Sequence, residues 1–337
     1  MKAAFLKGPR KIVVQDTADP KPKPDHVIVK VRFCGICGSD LHAYESGIYS
    51  GIIGHEFSGE IESIGESVKG WTIGDRVTAN ANIFDNTCYY CKRGETNLCM
   101  SLLGIGVTAP GAFAERVPVR SDLLHKLSDN VSFEEGALVE PLATPLRAVR
   151  YSVRFADTVL VMGAGPIGLF ALECSRIGGA TKVYVSEVSA TRSETAKKLG
   201  ADKVFDPTKV RLDRELLQLT SGIGPDVVIE TTAKPDVIRS SESIVRKGGI
   251  VMIVGLCPVD VSTNYIGIAV HETQIKGVYN YSVEDFELAA RLIEQRQLDV
   301  SSMVSDIIGL SEIVEKGFDE LLRPEKNHVK ILVDPQR

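Results

Sequence analysis

The sequence predicts an α/β protein in two parts, a β-rich first domain followed by a doubly wound parallel sheet. Three observations carry this expectation. The chain has 337 residues, enough for two domains at roughly 100–200 residues each. Up to about residue 143, short alternating stretches are separated by glycine turns. From Asp157 onward, short apolar runs alternate with helical patterns, which implies a parallel sheet covered on both faces.

In the first part, "HVIVKVRF" alternates like a half-buried strand, and "EFSGEIESIGESVKGWTIGDRV" places short strands between glycines. "SFEEGALVEPLATPLRAVRYS" is expected to be helical, interrupted by Pro141 and Pro145. "TVLVMG" then predicts a buried strand, "GPIGLFALECSRIG" a helix and "KVYVSE" a second strand. "TRSETAKKLG" is a further helix that stops at Gly200. "PDVVIET", "GGIVMIVG" and "TQIKGVYN" continue the strands. "SVEDFELAARLIEQRQL" predicts an amphipathic helix with Ser282 as its N-cap.

Apolar residues make up 44% and charged residues 25%, so the chain can bury a core without metal or disulfide staples. A net charge of −5 and a pI near 5.8 argue against a surface that tracks nucleic-acid phosphates. No window supplies the ~18 apolar residues of a membrane span. Charges in "MKAAFLKGPRKIVVQD" come too early for a secretory leader. The expected location is the cytoplasm, where clustered cysteines bind metal more often than they form disulfides.

"GAGPIG" runs through Gly163, Gly165, Pro166, Ile167 and Gly168, after a predicted strand and at the head of a helix. In that context it marks a dinucleotide site. Gly163 permits the tight turn, Gly165 admits a pyrophosphate to the helix N-terminus, and Gly168 lets helix and strand pack closely. Glu187 ends the next strand, where a carboxylate accepts from the ribose hydroxyls and repels a 2′-phosphate; NAD is expected. Arg192, five residues on, keeps NADP open.

"CGICGSDLH" supplies Cys34, Cys37, Ser39, Asp40 and His42; "GHE" supplies His55 and Glu56; "EPLA" supplies Glu140. A catalytic zinc takes three protein ligands and keeps a position open, and Cys37, His55 and one carboxylate would serve. A redox role for Cys34 and Cys37 is weaker, since the pair follows a strand and opens no clear helix in the sequence. "IFDNTCYYCKRGETNLC" adds Cys88, Cys91 and Cys99. Beside a nucleotide fold such a cluster would also suit a zinc-ribbon nucleic-acid binder. The acidic pI, the lack of a second nearby C-x-x-C and a basic content of only Lys92 and Arg93 oppose that reading.

Taken in order, "GICGSDLH", "GHEFSGEI", "GDRV", the cysteine cluster, "EPLA", "GAGPIG" and "GVYNYSVEDFELAARLI" resemble the zinc-dependent medium-chain dehydrogenase/reductase family of alcohol and polyol dehydrogenases. The resemblance covers essentially the whole chain. It implies a GroES-like catalytic domain over 1–143, a Rossmann NAD-binding domain over 144–282, and a segment, 283–337, that returns to the first domain. It also implies that Cys37 and His55 hold a catalytic zinc, with Glu56 or Glu140 as the direct carboxylate and Asp40 orienting His55. A structural zinc would sit among Asp85, Cys88, Cys91 and Cys99, with Asp85 at the family's first ligand position.

The implied reaction passes a hydride from a secondary alcohol to NAD. The metal acidifies the hydroxyl, Ser39 takes its proton and His42 passes it to solvent. Glu140 stands where the polyol branch carries glutamate, so a polyol or vicinal diol is the expected substrate; L-threonine and simple alcohols remain alternatives. A homo-oligomer, dimer or tetramer, is the expected assembly.

Overall fold

The computed structural model describes residues 1–323, 325 and 327–337. It divides into two compact units, Met1–Ala143 with Tyr281–Arg337, and Thr144–Asn280. Among the described residues, no helix is long and apolar enough to cross a membrane.

The first unit begins with β1 (Lys2–Leu6), β2 (Ile12–Asp16), β3 (His26–Gly35), α1 (Gly38–Ser46), β4 (Gly51–Ile52) and β5 (Glu56–Ile64). It continues through β6 (Arg76–Ala79), β7 (Asn82–Ile83), β8 (Leu103–Gly104), β9 (Arg116–Arg120) and β10 (Leu124–Lys126). Along β3, Val27, Val29 and Val31 are fully buried, while Lys30 and Arg32 keep partial access to water. That alternation fixes its register, because a one-residue slip would turn the valines outward.

Two helices follow, α2 (Phe133–Ala137) and α3 (Val139–Ser152). The helical break falls at Leu138 rather than at either proline. Pro141 lies in the first turn of α3, where a missing N–H costs nothing, and the helix runs on through Pro145. Ser132 caps α2 by accepting from Glu135 N.

The second unit contains β11 (Thr158–Met162), α4 (Pro166–Ile177), β12 (Lys182–Ser186), α5 (Ala190–Lys198), β13 (Lys203–Phe205) and α6 (Leu212–Leu219). It ends with β14 (Val227–Glu230), α7 (Pro235–Ile244), β15 (Ile250–Ile253), α8 (Tyr265–His271) and β16 (Gln274–Gly277). All six strands are parallel, in the order β13-β12-β11-β14-β15-β16. β11 and β14 are buried almost throughout, as a strand covered on both faces requires. The order reverses between β11 and β14, and ligands of such sheets lie at that point, beyond the carboxyl ends of the strands.

The chain then re-enters the first unit as α9 (Val283–Glu294), β17 (Val304–Gly309), α10 (Asp319–Leu322) and β18 (Lys330–Asp334). Ser282 caps α9 by accepting from Asp285 N. β18 lies inside the larger sheet, ordered β10-β6-β5-β3-β18-β17, with Leu332 opposite Gly35 and Val333 opposite Cys34.

Candidate active site

Within the first unit, antiparallel pairing sets Gly35 at the end of β3 opposite Glu56 at the start of β5. This register brings Cys37, the cap of α1, to His55 and Glu56, with one ligand atom of each lying within 4.8 Å of the others. Gly35 is required for this approach, since a Cβ there would meet Glu56 Oε2 at 2.2 Å. Glu56 is buried, and Lys330 Nζ from β18 donates to both of its oxygens, at 2.8 and 2.6 Å, and to Ile36 O at 3.0 Å. Asp40 Oδ2 accepts from Cys37 N at 2.9 Å, while Oδ1 stands 3.6 Å from His55 Nδ1. The aspartate thus faces the histidine at slightly more than hydrogen-bond length.

Glu140 lies outside the tight group. Its Oε1 accepts from the hydroxyl of fully buried Tyr281 at 2.7 Å, and that hydroxyl accepts from Ala81 N at 3.2 Å. Burial pushes Glu140 up to about 7, Glu56 adds to the shift and His55 opposes it. For His55, burial works against the charged ring, but Asp40, Cys37 and Glu140 outweigh it and hold the ring well above its ordinary value. One thiol and three carboxyl groups therefore gather around a single imidazole, with the Lys330 ammonium bonded to Glu56 among them. His55 Nδ1 has no hydrogen-bond partner among the described residues. This surplus of negative, soft-and-hard mixed donors fits a divalent zinc held by Cys37, His55 and a carboxylate.

Ser39 is half-buried in the first turn of α1 and His42 is exposed one turn later, so the two share a helix face. The same helix corrects one sequence expectation, because the C-x-x-C pair does open a helix. Redox exchange still finds no support, since Cys34 is fully buried, and burial raises its thiol well above the usual range.

The cysteine lobe lies between β7 and β8. Asp85, Cys88, Cys91 and Cys99 each place a ligand atom within 4.8 Å of the other three. Asp85 Oδ1 accepts from Thr87 N at 2.7 Å and Cys88 N at 2.8 Å, which holds its carboxyl far below the ordinary range. Cys99 Sγ accepts from Asp85 N and Ser101 N, both at 3.4 Å. Burial pushes Cys91 up to about 12, whereas backbone groups of Cys91 and Met100 lower Cys88. N–H groups aimed at sulfur and at one carboxylate oxygen suit a closed zinc site of one aspartate and three thiolates.

In the second unit, Gly163 follows β11 with φ +97°, Gly165 caps α4, and Pro166 takes the first helical position, followed by Ile167. Gly168 is held to glycine by packing, since a Cβ would fall 1.9 Å from Gly163 O. Glu187 is buried and tied to the turn: Oε2 accepts from Ala164 N at 2.7 Å, and Oε1 accepts from Val188 N and Ser189 N, both at 2.8 Å. It is no solvated strand end, because it braces the glycine turn. Arg192 Nη1 comes within 3.8 Å of where a Cβ on Gly165 would stand, and burial lowers its pKa against the pull of Glu187. The sequence reading missed Lys330 and Tyr281. The one available hint was a lysine opening the otherwise apolar run "KILV".

A cluster of candidate zinc donors in a β-rich unit, together with a glycine turn at the switch point of a parallel sheet, is the pattern of a zinc- and NAD-dependent oxidoreductase. The alcohol dehydrogenase GroES-like domain family matches residues 23–129, and the zinc-binding dehydrogenase family matches 166–295. The chain belongs to the zinc-dependent medium-chain dehydrogenase/reductase family of alcohol and polyol dehydrogenases. It is 36% identical to the (R,R)-butanediol dehydrogenase of Bacillus subtilis (strain 168), over 99% of this chain and 100% of the relative. It is 32% identical to the sorbitol dehydrogenase of the same organism, over 100% of this chain and 98% of that one. Among solved structures, galactitol-1-phosphate dehydrogenase from Escherichia coli superposes with a TM-score of 0.92 at 26% identity, covering 99% of this chain and 100% of that one.

Proposed function

We propose that the substrate is a polyol or vicinal diol, oxidised at a secondary carbon with NAD as acceptor, and that the matching ketone is reduced in reverse. The observation that carries this reading is the second carboxylate. Glu140 is buried, its Oε1 is held by Tyr281, and it lies outside the Cys37, His55 and Glu56 group. A second carboxylate, further out than the ligand group, suits a substrate with a second hydroxyl next to the reacting one. The butanediol and sorbitol dehydrogenase relatives point the same way.

Cys37, His55 and Glu56 are the proposed zinc donors, with Glu140 further out, because the first three converge and Glu140 does not join them. When bound, zinc acidifies the substrate hydroxyl and NAD takes up the hydride. The chain itself supplies the rest. Ser39 accepts the hydroxyl proton, and His42, exposed on the same helix face, releases it to water. Asp40, 3.6 Å from His55 Nδ1, orients the ring, and Glu187 disfavours a 2′-phosphate. Asp85, Cys88, Cys91 and Cys99 hold a second, structural zinc.

We also propose a homo-oligomer built on β16. This edge strand leaves one side of its backbone unpaired, and Ile275 is exposed, as are Tyr265, Ile266 and Val270 of α8. The cytoplasm fits the seven unpaired cysteines.

The decisive experiment follows NAD reduction by 340 nm absorbance across 2,3-butanediol, sorbitol, xylitol, L-threonine and simple secondary alcohols. A kcat/KM for diols or polyols at least about tenfold above that for mono-alcohols supports the reading. Preference for threonine or mono-alcohols overturns it.

A further inference from the structure

Glu230, the last residue of β14, is fully buried in the second unit, and the chemistry above does not use it. Its Oε1 accepts from Thr232 N at 2.6 Å, Thr232 Oγ1 at 2.5 Å and Ala233 N at 3.2 Å. Its backbone oxygen accepts from Val254 N at 2.9 Å and Gly255 N at 3.1 Å. One residue therefore ties down two turns, the one after β14 and the one after β15.

The turn after β14 is not relaxed. Ala233 has φ +57°, a left-handed conformation that alanine adopts at a cost and keeps only where its surroundings enforce it. The same turn abuts the glycine motif: Thr231 Oγ1 donates to Met162 O at 2.8 Å, and a Cβ on Gly163 would meet Thr232 Cγ2 at 2.8 Å. The other oxygen, Oε2, is buried with no hydrogen-bond partner among the described residues and packs against Gly255, where a Cβ would come within 2.7 Å. A carboxylate half-satisfied in this way is an expensive means of closing a turn. Burial pushes its pKa up, against the pull of the Thr232 and Ala233 donors.

The sheet order says what these turns face. The strand order reverses between β11 and β14, and a dinucleotide lies across that point. Glu187, at the end of β12, marks the adenosine side. The second nucleotide therefore lies over the turns after β14 and β15. We infer that Glu230 is a positioning residue for the nicotinamide half of the cofactor: it touches neither cofactor nor substrate, but its carboxylate fixes the turn after β14 and packs against Gly255 in the turn after β15, the two turns that the nicotinamide nucleotide rests on. This rests on the NAD reading above.

The test compares NADH and ADP, because ADP fills only the adenosine side. Dissociation constants come from NADH fluorescence and from calorimetry with ADP, on zinc-loaded protein. Glu230→Gln keeps a carbonyl oxygen for all three donors, so NADH affinity should stay within about twofold of the parent. Glu230→Ala keeps the backbone bonds to Val254 and Gly255 but releases the turn after β14, and should raise the NADH Kd about tenfold, with the ADP Kd unchanged. In steady-state assays the KM for NAD should rise more than kcat falls. Thr232→Val removes one donor from a half-buried position and should weaken NADH about threefold, again sparing ADP; it decides the matter if Glu230→Ala does not fold. Equal weakening of both ligands, or no weakening of NADH, overturns the inference. A parent protein that binds neither NADH nor NADPH would instead overturn the cofactor reading itself.

Discussion

Replacing Lys330 by methionine should destabilise the metal-free protein far more than the zinc-loaded one. Lys330 is 2% exposed and its partner Glu56 1% exposed, and Nζ reaches both carboxylate oxygens and Ile36 O. Methionine fills the same volume but strips the Glu56 carboxylate of the ammonium that bonds both of its oxygens. Breaking one side of such a pair costs about 3–5 kcal/mol. The first unit spans 1–143 and 281–337, and in units of that size each kcal/mol moves the melting point by roughly 2–4 °C. The apo variant should therefore melt about 6–20 °C below the apo parent. With zinc present, Glu56 has a second cation beside it, so the loaded variant should lose less than half of that. Calorimetry on chelator-treated and zinc-reconstituted protein reads both numbers and separates the transitions of the two units. The double variant Lys330→Met/Glu56→Gln removes the orphaned charge and should recover most of the apo loss. A drop of the same size with and without zinc, or a double variant no more stable than the single one, would refute the argument that Lys330 serves as the carboxylate's counter-ion.

Three further outcomes are expected. Asp85→Ala should lower zinc content from two equivalents toward one by elemental analysis, whereas Asp85→Cys should retain both; full retention in the alanine variant would remove aspartate from the ligand set. Glu187→Gln keeps an acceptor for the turn but removes the charge that repels a 2′-phosphate, so kcat/KM for NADP relative to NAD should rise about tenfold. Without metal, His55 is held well above its ordinary pKa and carries a proton that it must lose to bind zinc, while Glu140, pushed up to about 7, gains a proton and loses its charge as the pH falls. Zinc affinity of the apo protein should accordingly fall as pH drops from about 8 to about 6, and binding should release protons; an affinity flat across that range refutes the donor assignment.

The fold class and the motifs that carry the family were legible because their signals are local. "TVLVMG" followed by "GAGPIG" reads as strand, turn and helix within a dozen residues, and Ser282 signals its helix three residues ahead. What stayed hidden depends on long-range register. Lys330 meets Glu56 only because β18 pairs with β3, which in turn pairs with β5, across 274 positions of sequence. Tyr281 reaches Glu140 across 141 positions. The break at Leu138 was misplaced because both prolines are stronger local markers, yet one occupies a tolerated first-turn position and α3 absorbs the other. Glu187 was read as a ligand acceptor; its three backbone bonds come from a turn whose closure no spacing rule describes.

The placement of β18 bears on how the protein is made. Residues 144–280 are contiguous and can fold as soon as they leave the ribosome, while the larger sheet of the first unit must wait for a strand translated after all of them. Until then β3 and β17 lack their shared neighbour, and Glu56 sits in the nascent chain without its ammonium partner. The group of Cys37, His55 and Glu56 therefore forms early in synthesis but gains its buried lysine only with β18. A ribosome that stalls before β18 would release a chain whose second unit is contiguous and complete but whose larger sheet is split, its unpaired strands open to quality-control proteases.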